Sequence, residues 1–326
     1  MIEHPHAGEE ARRIAEAGTL LRTQVGSGVH GTAISGQDDR DELGICLEPP
    51  RFVTGIASVT SPDGRRIPFE QYELHTAWAR AGGLAERSGA GDLDVVIYGA
   101  RKWATLAAAG NPTVLLPLWV PDSEVVAITD AGRELRANAE RFVSRAVAER
   151  FLGYLRNQKD AMTAIGGDRK ARPAHVGEGG YDVKYAMHAL RLGVQGAELL
   201  RTGRITLPVP EPELSRLREV RSDRWPLADV VAWLDELETE LTALGGSSEL
   251  PAEPDRQWID GWLHRSYTAY WARLPEGRAD GGTSPRPRCT TTSGTARRST
   301  GSRSRPSAPR PTSPGCRTTS PRWRSG

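Results

Sequence analysis

The hydrophobic period of this chain changes once, near residue 125, and that change restricts the possible folds more than any other feature. Before it, residues 19–25 (Thr-Leu-Leu-Arg-Thr-Gln-Val), 43–47 (Leu-Gly-Ile-Cys-Leu) and 93–98 (Leu-Asp-Val-Val-Ile-Tyr) are short apolar runs bounded by Gly, Pro or Asp, which read as strands. A helix around Glu9–Glu16 precedes the first run. Another, from Arg101 to Ala109, is stopped by Gly110-Asn111-Pro112, a glycine cap followed by a breaker. After the change, apolar residues recur at helical intervals: Phe142, Val143, Val147, Phe151 and Leu155, then Val183, Met187, Leu190, Val194 and Ala197. A third helix starts near Pro226, with Asp223 or Ser222 placed to cap it, and carries Val230, Leu234, Leu237, Leu241 and Leu244 up to Gly245-Gly246. The pattern predicts an α+β protein, with a small mixed sheet and its helices over residues 1–125 and an α-helical bundle over residues 126–275.

Charge divides the chain a second time. From Gly281 to Gly326 there are ten Arg and no acid, whereas the preceding 280 residues hold 33 basic and 41 acidic side chains. Residues 276–326 are mostly Ser, Thr, Pro, Arg and Gly, with Trp323 the one large hydrophobe, so they cannot bury enough surface to offset their ordering entropy. They read as a disordered tail. A basic arm that grips nucleic acid and a solvated or frameshifted extension both fit this composition. The acidity of the body argues against a broad nucleic-acid-binding face. Two of the three Cys lie in the tail, leaving Cys46, which is the usage of a reducing compartment. The densest apolar run, Thr113 to Val120, is interrupted by Pro117, and the N-terminus lacks a secretory pattern, so a cytoplasmic protein without a membrane span is expected.

Directly after the first strand comes Gly26-Ser27-Gly28-Val29-His30-Gly31-Thr32, which satisfies G-x-G-x-x-G by pattern alone. A dinucleotide-binding unit needs a long helix after the glycines and an acid about 20 residues on. Here Ser35-Gly36-Gln37-Asp38 breaks the chain about one turn after Gly31. The other reading is a tight turn whose amides and Ser27 hydroxyl hold the phosphates of a nucleotide. Such a site needs magnesium ligands, and Asp39-Arg40-Asp41 follows at once; residues two apart on an extended segment project to one face. Asp94 opens the run Asp94-Val95-Val96-Ile97-Tyr98, where an acid among β-branched residues is expensive unless paired or metal-bound. Asp92 shares its face and is a reserve candidate. Three carboxylates on two adjacent strands beside a glycine turn can position two metal ions for in-line phosphoryl transfer.

These residues resemble the nucleotidyltransferases of the DNA polymerase β superfamily, whose signature is a Gly-Ser turn, an Asp-x-Asp pair shortly after and a third Asp on a later strand. More narrowly, the chain is similar to the bacterial and phage nucleotidyltransferases of the RNA repair pathway polymerase β family. Gly26-Ser27, Gly31-Thr32, Asp39, Asp41 and Gly44 match its first block. Gly91-Asp92-Leu93-Asp94, Arg101-Lys102-Trp103 and Gly110-Asn111-Pro112-Thr113-Val114-Leu115 match its second. Gly180-Tyr181-Asp182-Val183-Lys184, His188 and Arg191 match its third, and the likeness spans roughly residues 19–270. Asp38 stands where Ser is common, and Glu42-Leu43 where an apolar residue and Arg are usual. The resemblance implies a polymerase-β-type catalytic domain followed by a helical domain. It implies two Mg2+ ions on Asp39, Asp41 and Asp94, the catalytic carboxylates. It implies contacts from Gly26 and Ser27 to a nucleoside triphosphate such as ATP, and an RNA 3′ end as the favoured acceptor.

Lys184, His188 and Arg191 stand at i, i+4 and i+7 of one predicted helix, a basic stripe suited to clamp phosphates. Lys102, more than Arg101, is the further candidate for a nucleotide contact. The Gly166–Gly180 segment, with Arg169, Lys170 and Arg172, reads as a loop over the site or a surface connector. His4 and His6 lack a partner at metal-site spacing, and His30 and His75 read as local hydrogen-bonding residues. The leading expectation is a magnesium-dependent enzyme that moves a nucleoside monophosphate to an acceptor hydroxyl and releases pyrophosphate. The alternative is a catalytically silent nucleotide- or RNA-binding regulator on the same fold. Oligomeric state is not encoded in these patterns.

Overall fold

A computed structural model of the chain describes residues 4–34, 36, 38–82, 88–163, 177 and 179–275, all within one unit, Met1–Ala279. The basic tail, residues 276–326, and most of the Gly166–Gly180 segment lie outside the described residues. The elements run α1 (Glu9–Gly18), β1 (Thr19–Val25), α2 (Ser27–His30), β2 (Arg40–Cys46), α3 (Pro50–Val53), β3 (Val59–Thr60), β4 (Arg66–Ile67), β5 (Gln71–His75), α4 (Thr76–Arg80) and β6 (Leu93–Gly99). Then follow α5 (Ala100–Ala108), α6 (Pro112–Leu115), β7 (Val125–Ile128), α7 (Asp130–Ala137), α8 (Val147–Thr163), α9 (Val183–Thr202), α10 (Glu213–Arg221), α11 (Leu227–Ser247) and α12 (Arg256–Trp271). Among the described residues no helix is long and apolar enough to cross a membrane.

Five strands form one mixed sheet in the order β5-β6-β2-β1-β7, with β2 and β6 parallel and the other neighbours antiparallel. Side chains alternate across the two faces, and each face meets a different core. Val95 and Ile97 of β6 and Cys46 of β2 pack on Ala11, Ile14 and Ala15 of α1 with Phe69 and Tyr72. Leu43, Ile45, Val96 and Tyr98 point the other way, into a core built with Trp103, Phe142, Phe151, Leu190 and Leu234. The sheet is thus the middle layer, and Asp41 and Asp94 belong by alternation to the face that meets the helices.

The three sequence-predicted strands form as β1, β2 and β6, and β2 begins earlier than the apolar run because Arg40, Asp41 and Glu42 pair with β1 and β6. The helix expected from Phe142 starts at Val147; Phe142 ends a 3-10 turn, and the Arg145 amide is bound by the Pro251 carbonyl, 2.8 Å away. Asp223 and Ser222 do not cap α11, whose first residue follows Pro226; instead Ser222 ends α10 and Asp223 takes a left-handed φ of 58° in the turn beyond. Strand β7, which the sequence reading does not include, pairs with β1 at the sheet edge and leaves Val126 and Ala127 exposed.

Candidate active site

Gly26 ends β1 with φ 80°, a left-handed conformation suited to glycine, and turns the chain into the four-residue helix α2. A Cβ built on Gly26 would stand 2.2 Å from Asp41 Oδ2, so the turn and the carboxylate occupy adjoining space that only glycine leaves open. Ser27 follows, its carbonyl bonded by the Thr32 amide at 3.0 Å, which closes the Gly26–Thr32 turn.

Asp41 and Asp94 are register partners on the parallel β2–β6 ladder and therefore project side by side. Asp39 precedes β2. Oxygens of Asp39, Asp41 and Asp94 lie within 4.8 Å of one another. Burial pushes the Asp39 carboxyl up from its ordinary value, with Lys184 opposing and Asp94 adding to the rise. Burial, with Asp39 and Asp94 close by, pushes Asp41 up to about 7, again against the charge of Lys184. Three half-buried carboxylates that repel one another form a hard oxygen donor set, and such a set suits a divalent cation. The site residues fit a metal on that ground.

The neighbouring acids do other work. Glu42, on the opposite face of β2, is buried between Arg22 at 2.5 Å and Arg40 at 2.8 Å, which accounts for an acid next to the Asp-x-Asp pair without placing it in the site. The reserve residue Asp92 is not part of the cluster. It binds Arg80 at 2.6 Å and Thr76 Oγ1 at 3.0 Å, and the Arg80 hydrogen bond holds its carboxyl well below the usual carboxylate range. Asp38 accepts from the Ile34 amide at 2.6 Å and pairs with Arg221 of α10, tying the segment before Asp39 to the helices.

Helix α9 is capped by Asp182, whose carboxylate accepts from the Lys184 and Tyr185 amides at 3.0 and 3.1 Å. This fixes Lys184 in the first turn, where its charge acts on Asp39 and Asp41. Arg191, two turns on, reaches α2: its Nη1 lies 2.9 Å from His30 Nε2 and donates to Gln195 Oε1 at 2.9 Å. Burial lowers Arg191 to about 10, and burial and the nearby Arg191 charge lower His30 well below its ordinary value. His188 lies near the same imidazole, since its charge acts on His30. The stripe thus spans from the carboxylates to the back of the glycine turn. Lys102 is not brought to this cluster. It donates to Glu70 and Gln71, both at 2.7 Å, and Gln71 pairs with Tyr98 while His75 pairs with Asp94. That is four residues along the ladder, roughly 13 Å from the carboxylates.

Sequence reasoning passed over the edge strand β5. Its odd residues Gln71, Glu73 and His75 share the carboxylate face, while Tyr72 and Leu74 turn to the other core. His75 Nδ1 lies 3.2 Å from Asp94 Oδ1, and its Nε2 lies 3.4 Å from Glu73 Oε2. Burial opposes charge on this imidazole, yet the bonds to Asp94 and Glu73 outweigh it and raise His75 to about 9. The strict alternation Gln-Tyr-Glu-Leu-His was the signal.

A mixed sheet bearing an acid pair and a third acid on the adjacent strand, with a Gly-Ser turn beside them and a helical region behind, defines a polymerase-β-type nucleotidyltransferase. The chain belongs to the RNA repair pathway DNA polymerase beta family, whose profile matches residues 4–275. No curated protein matches it significantly. Among solved structures it is similar to a nucleotidyltransferase-like protein from Exiguobacterium sibiricum 255-15, with 12% identity over 80% of this chain and 75% of that one and a TM-score of 0.25, a likeness too remote to bear on function.

Proposed function

We propose that this nucleotidyltransferase is magnesium-dependent, takes a nucleoside triphosphate, and transfers the nucleoside monophosphate to an acceptor hydroxyl, an RNA 3′ end being favoured. The observation that carries this reading is the convergence of Asp39, Asp41 and Asp94 against Gly26. These three carboxylates would hold two Mg2+ ions, which when bound neutralise phosphate charge and activate the attacking oxygen. The acceptor oxygen attacks the α-phosphorus, the bond to the bridging oxygen of the departing pyrophosphate breaks, and the acceptor proton passes to Asp94 and from there to solvent. Gly26 leaves room for the carboxylates and the phosphates in the same turn. Ser27 would contact the phosphates, Lys184 would offset their charge beside the acids, and His188 and Arg191 extend that positive field toward α2.

An RNA end is favoured because the family is described by RNA repair and because an acidic body suits a short end held in a cleft better than a long duplex. Lys102, paired with Glu70 and Gln71, is left out of the triphosphate contacts proposed here. A catalytic region over residues 1–125 and a helical region over 126–275, in a cytoplasmic protein, complete the reading. The test is to incubate the chain with each labelled triphosphate, Mg2+ and total cellular RNA, and to follow pyrophosphate and label. Pyrophosphate release that disappears in the Asp39→Asn and Asp41→Asn variants supports the reading, and unchanged turnover refutes it. Nucleotide binding without any pyrophosphate release would instead identify a silent regulator.

A further inference from the structure

His75 is the last residue of β5 and the register partner of Asp94. Its two ring nitrogens are both engaged, Nδ1 with Asp94 Oδ1 at 3.2 Å and Nε2 with Glu73 Oε2 at 3.4 Å. Glu73 is itself held: His4 Nε2 lies 3.0 Å from the same Oε2, and the Gln71 side-chain amide donates to Oε1. Burial alone would raise the Glu73 carboxyl, but the hydrogen bonds from His4 and His75 outweigh it and bring it to about 2, so it remains an anion able to orient the imidazole. Trp78, one turn beyond β5, stacks on the His75 ring with centroids 5.0 Å apart and planes at 30°. The ring is therefore held by its hydrogen bond to Glu73, its ion pair with Asp94 and one stacking contact. Ser88 Oγ also donates to the Asp94 carboxylate, at 2.9 Å from each oxygen.

A carboxylate that must offer one oxygen to a cation gains from having its other oxygen fixed by the protein. Free rotation about the last side-chain bond would otherwise be lost on binding, and outer partners of ligating groups commonly set their orientation. We propose that His75 is a positioning residue for Asp94, its Nδ1–H holding Oδ1 so that the remaining carboxylate edge faces Asp39 and Asp41. The Glu73–His4 pair acts behind it, keeping Nε2 engaged and Nδ1 turned toward Asp94. The edge strand of the sheet is thereby a functional part of the metal site rather than a boundary of it. This inference rests on the metal-dependent transfer reading and concerns the one carboxylate that β6 supplies.

The test is manganese titration of the full chain without nucleotide, read by the electron paramagnetic resonance of free Mn2+. His75→Ala should weaken Mn2+ affinity by ~10–100-fold, the range found when outer partners of metal ligands are removed. His75→Asn, whose side-chain amide can place a donor near Nδ1, should restore affinity to within about threefold. In the Asp94→Asn background, His75→Ala should have no further effect, because a residue that acts through Asp94 has nothing left to position. Affinity unchanged in His75→Ala overturns the proposal. So does His75→Asn as weak as His75→Ala, or additive effects of His75→Ala and Asp94→Asn, either of which marks a packing role. If the wild type and the Asp39→Asn/Asp41→Asn variant bind Mn2+ equally, it is the metal site itself that fails, and His75 with it.

Discussion

The Asp41 carboxylate fills the space in which a side chain on Gly26 would begin, 2.2 Å from a Cβ built at that position. Gly26→Ala therefore meets two obstacles, a left-handed φ of 80° and a collision with a proposed metal ligand. The fold should survive, at a cost of about 1–3 kcal/mol by denaturant titration. Pyrophosphate release should fall by ~100-fold or more, because small displacements of reacting groups are costly. A variant that turns over like the wild type would show that Asp41 moves aside without consequence.

Asp41 also gives a pH signature in metal-free buffer. Its carboxyl stands at about 7 in the fold, against an ordinary value of 3.8, so between these pH values the native state holds a proton that the unfolded chain has released. Its contribution to stability is complete below the lower value and is lost as pH rises through the upper one. Asp41→Asn removes that loss. With EDTA present its Tm should exceed the wild-type Tm at pH 8, and the difference should shrink toward pH 4. Adding Mg2+ at pH 8 should raise the wild-type Tm more than that of the variant.

Lys184 opposes the repulsion within the acid cluster, since its charge lowers both Asp39 and Asp41. Lys184→Gln should move the proton uptake of the metal-free site to higher pH, followed by carboxyl resonances in NMR. It should also weaken triphosphate binding by ~10–100-fold, the value of about one charge-assisted hydrogen bond, measured by calorimetry.

Asp38 and Arg221 form an ion pair with side chains 10% and 6% exposed, joining the segment before Asp39 to α10. Removing one partner leaves an uncompensated buried charge, so Arg221→Met should destabilise the chain by roughly 3–5 kcal/mol. Combining it with Asp38→Asn should recover part of that loss in denaturant unfolding, because the orphaned carboxylate is gone. The pair gives Asp38 a structural role at the head of the segment that leads to Asp39.

Much of the site could be read from the chain itself, because its determinants are local. A glycine turn, an acid pair two residues apart and an acid among β-branched residues declare themselves through spacing and desolvation cost, and Asp39, Asp41 and Asp94 do converge. The polar face of β5 was equally local, in Gln71, Glu73 and His75, but a five-residue alternation next to no apolar run does not announce a partner. Arg191 and Lys102 show the limit from the other side. Each sits beside a matched motif, yet one reaches His30 and the other Glu70, and nothing in spacing along the chain distinguishes these ends from an open cleft.

Sequence alone settled the strands β1, β2 and β6, the helical period of α9 and α11 and the acids Asp39, Asp41 and Asp94, since spacing along a regular backbone converts into direction. Only the tertiary structure decided strand order and register. These are set by which apolar faces the α1 core and the helical core bury together, and they place Asp94 beside Asp41 and His75 beside Asp94.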